Sequence, residues 1–176
     1  GQNLDWFFKQ WLYEAGYPKY DVKWNYTQRN KSVKIKIEQV QNGNLFKMPV
    51  KIKIDKEDHI IWVEDKEVVF EISALKRPEL VIFNSGLMVP SELTFHKSIS
   101  EWVLQLETAP HILDRIAAIN VLKEKKGRRV VELALLKAAE SDPFWGVRRE
   151  AVYALAAHKS KKYADELMSI SKGQDN

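Results

Sequence analysis

The chain has 176 residues, a net charge of +4 and no cysteine. Its length suits one ordinary domain or two small ones, and 45% hydrophobic with 30% charged residues is globular composition that argues against disorder. Without cysteine there are no disulfides and no thiolate metal sites. The weak positive charge lacks the arginine-rich run that would mark a nucleic-acid surface, and no apolar run approaches the roughly 20 residues needed to span a bilayer.

In chain order, Leu4, Phe7, Phe8, Trp11, Leu12 and Ala15 come first, at i, i+3, i+4 spacing. This predicts a helix with that face buried. Asn3 is the expected N-cap, Asp5 favours the positive end, Gly16 closes the helix and Pro18 discourages continuation. The period then changes: Val22, Trp24 and Tyr26 alternate with Lys23 and Asn25, which is strand spacing. Trp6, Phe7, Phe8 and Trp11 are a heavy apolar load that a helix this short cannot bury on itself. Either it is a core helix packed on the sheet that follows, or it belonged to an upstream part, since Gly1 stands where a Met would begin. In the second case its aromatic face is expected to fold back on the sheet domain or to self-associate with another copy.

A polar loop, Thr27 to Ser32, precedes a strand in which Val33, Ile35 and Ile37 alternate with Lys34, Lys36 and Glu38. Gln41 to Asn44 carries Asn-Gly, a hairpin signal, and the return strand is predicted from Phe46 to Ile54. Pro49 lacks an amide hydrogen, so this strand should lie at an edge or bulge there. Asp55 to Asp58 is a charged turn. A second hairpin is expected from His59–Val63 and Lys66–Ile72 around Glu64-Asp65, then a short strand at Leu80–Phe83 and a turn at Asn84-Ser85-Gly86. About six strands suggest an antiparallel sandwich over residues 20–89, with the alternating lysines on its solvated face.

From Pro90 alanine, leucine and arginine rise and helical spacing returns. Ser91 or Ser98 caps a helix through Trp102, Val103 and Leu106. Another runs through Ile112, Ile116, Ile119 and Leu122 to Lys126-Gly127, and a third covers Arg128 to Glu140. Asp142 as N-cap and Pro143 at the first helical position start a fourth, with Val147, Ala151, Ala154 and Leu155 inside, and Tyr163 to Ser171 is the last. Two of these helices share a pattern: Arg115, Ala118, Leu122 in one and Arg148, Ala151, Leu155 in the other. It resembles HEAT-type repeats, in which small residues let paired helices approach and an Asp and an Arg tie neighbouring repeats.

A second resemblance covers nearly the whole chain. Phe8, Trp11, Leu12, Tyr13, Gly16, Tyr17 and Pro18, followed by Val22 and Trp24, are similar to the end of the catalytic domain in aminopeptidase N-like (gluzincin) zinc metallopeptidases. Val33–Gln41 followed by Phe46–Ile54 resembles that family's sandwich signature. The resemblance implies an α+β chain in three parts. These are the terminal helix of a missing catalytic domain (residues 1–19), an antiparallel β-sandwich (20–89) and a HEAT-like α-helical domain (90–176). It implies a noncatalytic C-terminal fragment that supports or encloses the substrate cavity of a zinc aminopeptidase, which releases N-terminal residues from peptides. Its partners would be its own catalytic domain and, in the parent, a peptide substrate, with no nucleic acid and no membrane segment. The alternative is a protein-interaction scaffold from a catalytically inactive relative.

The residues carry little chemistry of their own. The H-E-x-x-H motif, which puts two zinc-binding imidazoles and a general base on one helix face, does not occur. His59, His96, His111 and His158 are never four apart, and none precedes a Glu. Gly86-Leu87-Met88 matches half of the family's G-x-M-E-N motif, but Val89-Pro90 follows. Asp58-His59 reads as a solvated corner, His111 with Asp114 and Arg115 as capping and inter-repeat contacts, and Arg148 as structural, although Arg148-Arg149 has the charge to take a carboxylate. No catalytic, cofactor-binding or metal-ligating residue is assigned in this chain. The zinc is expected in the missing catalytic domain.

Overall fold

The computed structural model describes residues 3–158 and Tyr163. The chain divides into two compact units, Gly1–Lys97 and Ser98–Asn176.

Among the described residues the first unit holds seven strands: β1 (Lys19–Thr27), β2 (Ser32–Gln39), β3 (Met48–Ile54), β4 (Glu57–Val63), β5 (Glu67–Ser73), β6 (Val81–Phe83) and β7 (Glu92–His96). They form a four-stranded sheet in the order β5-β2-β1-β7 and a three-stranded sheet in the order β4-β3-β6. Val33, Ile35 and Ile37 of β2 and Val50 and Ile52 of β3 are wholly buried, while Lys34 and Lys36 point to solvent. A strand with that alternation must bury one face, and the two apolar faces bury each other. Tyr20 of β1 meets Phe83 of β6 edge-on across the layer, with ring centroids 5.2 Å apart.

The strands lie close to where period two places them, but their pairing differs from the expected one. The hairpins are β1–β2, joined by a tight turn with Lys31 at φ 48°, and β3–β4, joined through Asp55 at φ 50°. The two connections expected to be hairpins, Gln41–Asn44 and Glu64-Asp65, instead carry the chain from one sheet to the other, from β2 to β3 and from β4 to β5. Asn42-Gly43 does supply a positive φ, 96° at Gly43. A turn signal fixes local chain direction, however, not which strand receives the hydrogen bonds. Pro49 lies in the middle strand of its sheet, contrary to the edge placement. Yet β6 pairs only with Ile52–Ile54, so β3 is locally an edge at Pro49 and a proline is tolerated there.

The sheet unit also runs past the expected boundary at residue 89. Glu92–His96 forms β7, parallel to β1 with Val22 opposite Phe95, so the division falls after Lys97. Only Phe95 of β7 is buried. Leu93 and Phe95 do alternate with polar neighbours, but five residues are too few to stand out beside the compositional shift at Pro90. The sandwich is therefore antiparallel except for this edge pair.

The second unit holds α2 (Ile99–Thr108), α3 (Ile112–Leu122), α4 (Arg129–Ser141) and α5 (Trp145–Ala157). Of the two candidate caps it is Ser98 that starts α2, with a reciprocal capping box to Glu101. Ser91 instead accepts a hydrogen bond from the Asn84 side chain in the loop before β7. His111 Nδ1 caps α3 by accepting from the Leu113 amide at 3.2 Å. The helix ends at Leu122, four residues before Lys126, and Gly127 at φ 70° turns the chain back. Asp142 is not the N-cap of α5: Phe144 is, and Pro143 precedes the helix. Ala118, Ala151 and Ala154 are wholly buried, and so is Leu122, as close helix approach requires. The expected helix at Tyr163–Ser171 lies outside the described residues apart from Tyr163, which is buried.

Candidate functional site

The N-terminal segment starts as α1 (Asp5–Phe8) and continues without a break into a π-helical stretch, Lys9–Tyr13, closed by the Glu14 amide on the Lys9 carbonyl at 3.2 Å. Asn3 does not occupy the cap position, which is Leu4, but its Oδ1 accepts from the Asp5 amide at 2.7 Å. The buried face differs from the one spacing predicts. Trp6, Gln10 and Trp11 turn toward the sandwich, while Leu4, Phe7, Phe8 and Leu12 stay exposed. Trp6 meets Trp62 edge-on at 5.9 Å, and Trp11 packs on Phe46 at 5.4 Å while its indole donates to Met48 Sδ at 3.3 Å. The helix thus folds back on the sandwich through one apolar edge and presents a second apolar edge outward.

Gln10 decides that orientation. Its Oε1 accepts from the Lys47 amide at 2.7 Å and its Nε2 donates to the Lys47 carbonyl at 3.4 Å. On the other side of the same extended segment, Gln39 treats Phe46 the same way: Oε1 accepts from its amide and Nε2 donates to its carbonyl, both at 2.9 Å. Residues 46 and 47 leave one sheet for the other and have no strand partner, so two side-chain amides stand in for strands. Asn84 does this a third time, bonding both the amide and the carbonyl of Val89 at 3.1 and 2.6 Å. Nothing in the residue pattern marks Gln10, a polar residue beside tryptophan on a face that 3.6-residue spacing assigns to solvent.

The histidines disperse. His59 on β4 lies 3.8 Å from Glu57 and against Phe70. His96 Nε2 is 2.8 Å from Asp21 Oδ2 at the sheet edge. His111 is a helix cap, and His158 Nε2 lies 2.9 Å from the Lys123 carbonyl. Asp58 pairs with Lys53 at 2.7 Å, and that hydrogen bond holds its carboxyl below the usual range. Glu92 is held down in the same way by Lys19 at 2.8 Å and by the Tyr17 hydroxyl. Among the described residues no three His, Asp or Glu side chains gather where they could hold a metal ion. A shallow cavity of about 330 Å³ lies beside Gly16, Lys19, Gln41 and Phe46. The Gln41 amide facing it is already used by Lys19, Gln39 and Asn44.

The charged cluster of the second unit is a junction between repeats. Arg115 and Asp142 are both buried and paired through two hydrogen bonds, Nε to Oδ2 at 2.7 Å and Nη2 to Oδ1 at 3.0 Å. The remaining Arg115 nitrogen, Nη1, donates to the Ala109 and Pro110 carbonyls. Asp142 Oδ1 also accepts from the Phe144 amide at 2.9 Å. A buried ion pair persists only when its spare donors and acceptors are satisfied, and both partners meet that condition. Arg148 bonds the Asp142 and Pro143 carbonyls, while Arg149 stacks over Trp145 and pairs with Glu150. The pair of sequence-singled arginines therefore splits into one structural residue and one surface residue.

Two sheets packed face to face and followed by repeated helix pairs define a β-sandwich joined to a HEAT-type helical unit. The comparisons agree with that class. The HEAT-repeat family matches residues 99–176. Among solved structures, an aminopeptidase A of Legionella pneumophila, crystallised with aspartic acid, is similar over 99% of this chain with a TM-score of 0.69 and 16% identity. The chain spans 23% of that protein's length. No curated protein matches the sequence.

Proposed function

We propose that this chain is the noncatalytic C-terminal portion of an aminopeptidase N-like zinc metallopeptidase, in which the sandwich and the HEAT-type unit support or enclose the substrate cavity. The reaction would be release of N-terminal residues from peptides. The zinc and its ligands would belong to a catalytic domain preceding these residues, and the chain's partners would be that domain and, in the parent, the peptide.

The observation that carries the reading is the two-edged N-terminal helix. A helix that packs on one body and still leaves apolar side chains exposed has surface for a second body. Trp6 and Trp11 contact the sandwich, and Leu4, Phe7, Phe8 and Leu12 are left for the second body. The fold likeness to about a quarter of a longer aminopeptidase supports the same reading.

The test is to express the full reading frame and to measure release of the first residue from a short peptide, with and without a chelator. We expect chelator-sensitive release by the full protein and none by the 176-residue chain. Replacing Phe7 and Phe8 with Ser in the full protein should lower its unfolding temperature more than it does in this chain. Hydrolysis by this chain unaided would overturn the proposal. A full protein that folds, lacks H-E-x-x-H and releases nothing would favour the interaction scaffold instead.

A further inference from the structure

The corner between α3 and α4 concentrates positive charge. Lys123, Lys125, Lys126, Arg128 and Arg129 stand there with one carboxylate, Glu124, an excess of four that equals the net charge of the whole chain. Many cations elsewhere are paired: Lys19 with Glu92, Lys36 with Glu67, Lys47 with Glu64, Lys53 with Asp58 and Lys137 with Glu107. Among the described residues none of the five at this corner has an ion pair. Every residue from 123 to 130 is exposed.

Fold stability does not account for all of these charges. Lys123, Lys125 and Lys126 follow the C-terminal end of α3, where cations offset the helix dipole. Arg128 and Arg129 stand at the opposite pole, as N-cap and first residue of α4, where the dipole disfavours positive charge. An N-cap favours Ser, Thr, Asp or Asn, and the Arg128 side chain makes no capping hydrogen bond. Beside them Val130 and Leu133, three residues apart on one helix face, are 52% and 46% exposed. The corner thus sets charge at the unfavourable pole of a helix and apolar side chains in water.

We propose that this corner docks on an anionic lipid surface. Headgroup phosphates pair with the five cations, and Val130 and Leu133 enter the acyl boundary between them. Eight consecutive exposed residues form a projection that meets a flat partner and encloses no peptide. A nucleic-acid backbone would satisfy the charges but offer nothing to the valine and leucine. The inference rests on the helical unit alone and not on the parent enzyme.

The test is co-sedimentation of the whole chain with vesicles of phosphatidylcholine alone and of equal parts phosphatidylcholine and phosphatidylglycerol. Binding is expected only to the second, and should weaken as salt rises. Lys125→Gln with Lys126→Gln should weaken it about 25-fold, at about fivefold per lysine. Lys36→Gln with Lys47→Gln removes as much charge from the sheet unit and should leave binding unchanged. Val130→Ser with Leu133→Ser should weaken it while every charge is kept. All six side chains are exposed, so these substitutions spare the fold. No preference for the anionic vesicles would overturn the proposal. Equal losses from the two lysine pairs would also overturn it, by assigning the binding to net charge. Tighter binding of a short DNA duplex, unaffected by Val130→Ser with Leu133→Ser, would overturn it in favour of nucleic acid.

Discussion

The two units solve the same problem in opposite ways. Each must satisfy backbone groups where regular structure stops. The sandwich does so with single side chains at unique places: Gln39 on Phe46, Gln10 on Lys47 and Asn84 on Val89. The helical unit does so by repetition, with an arginine over the same two carbonyls in each repeat. The lesson is about what can be copied. A helix pair meets its neighbour through a constant geometry, so one solution recurs at one interval. A sandwich crossover has its own geometry each time, and each needs its own device.

Breaking the repeat junction should produce the largest effect. Asp142→Ala leaves the Arg115 guanidinium buried without its carboxylate and should cost the helical unit about 3–5 kcal/mol. Hydrogen exchange resolved by segment should show the loss in α2–α5 and leave the strands protected. A loss spread equally over both units would mean that they do not unfold as separate bodies.

Removing one amide bridge tests the other half of the comparison. Gln39→Leu keeps the volume but strands the Phe46 amide and carbonyl, for about 3 kcal/mol, with the damage confined to the first unit. Urea unfolding checks it. A smaller loss, about 2 kcal/mol, is expected from Ala151→Leu, which forces bulk into a closed helix contact. Ala118→Leu should match it, because the repeat makes the two sites equivalent, and a large difference between them would weaken that equivalence.

Smaller still is the ring contact that seats the N-terminal helix. A double-mutant cycle on Trp6→Ala and Trp62→Ala should give a coupling of about 1 kcal/mol. The last effect is silent at neutral pH. Burial pushes the Tyr20 hydroxyl up to about 12, from an ordinary value near 10. A raised folded value means that its contribution is fully present below pH ~10 and is lost as pH rises toward 12. Absorbance titration should therefore show one tyrosine ionising late, with unfolding of the sheet unit and not of the helices.

Much of the fold was legible. Alternation at Val33, Ile35 and Ile37 located β2, and the spacing of Arg115, Ala118 and Leu122 against Arg148, Ala151 and Leu155 located the repeat. Both are local periods, repeated often enough to stand above chance. The errors fell where the deciding partner is distant in sequence. Glu92–His96 is a strand because β1 lies beside it, and its own alternation, Leu93 and Phe95, is too short to stand out. The buried face of the N-terminal helix departs from its spacing because a π-helical stretch breaks the 3.6-residue period and a glutamine finds a backbone 37 residues away.

By itself the sequence determined most of the strands and helices, that the helices repeat, and that they come after the sheets. Those properties follow from side-chain period, which each segment carries within itself. Tertiary structure alone decided which strands pair, where the sandwich ends and which edge of the first helix faces outward. Each of these is a choice among partners remote along the chain, and it is settled by the hydrogen bonds and apolar surface that remain to be satisfied once the segments meet.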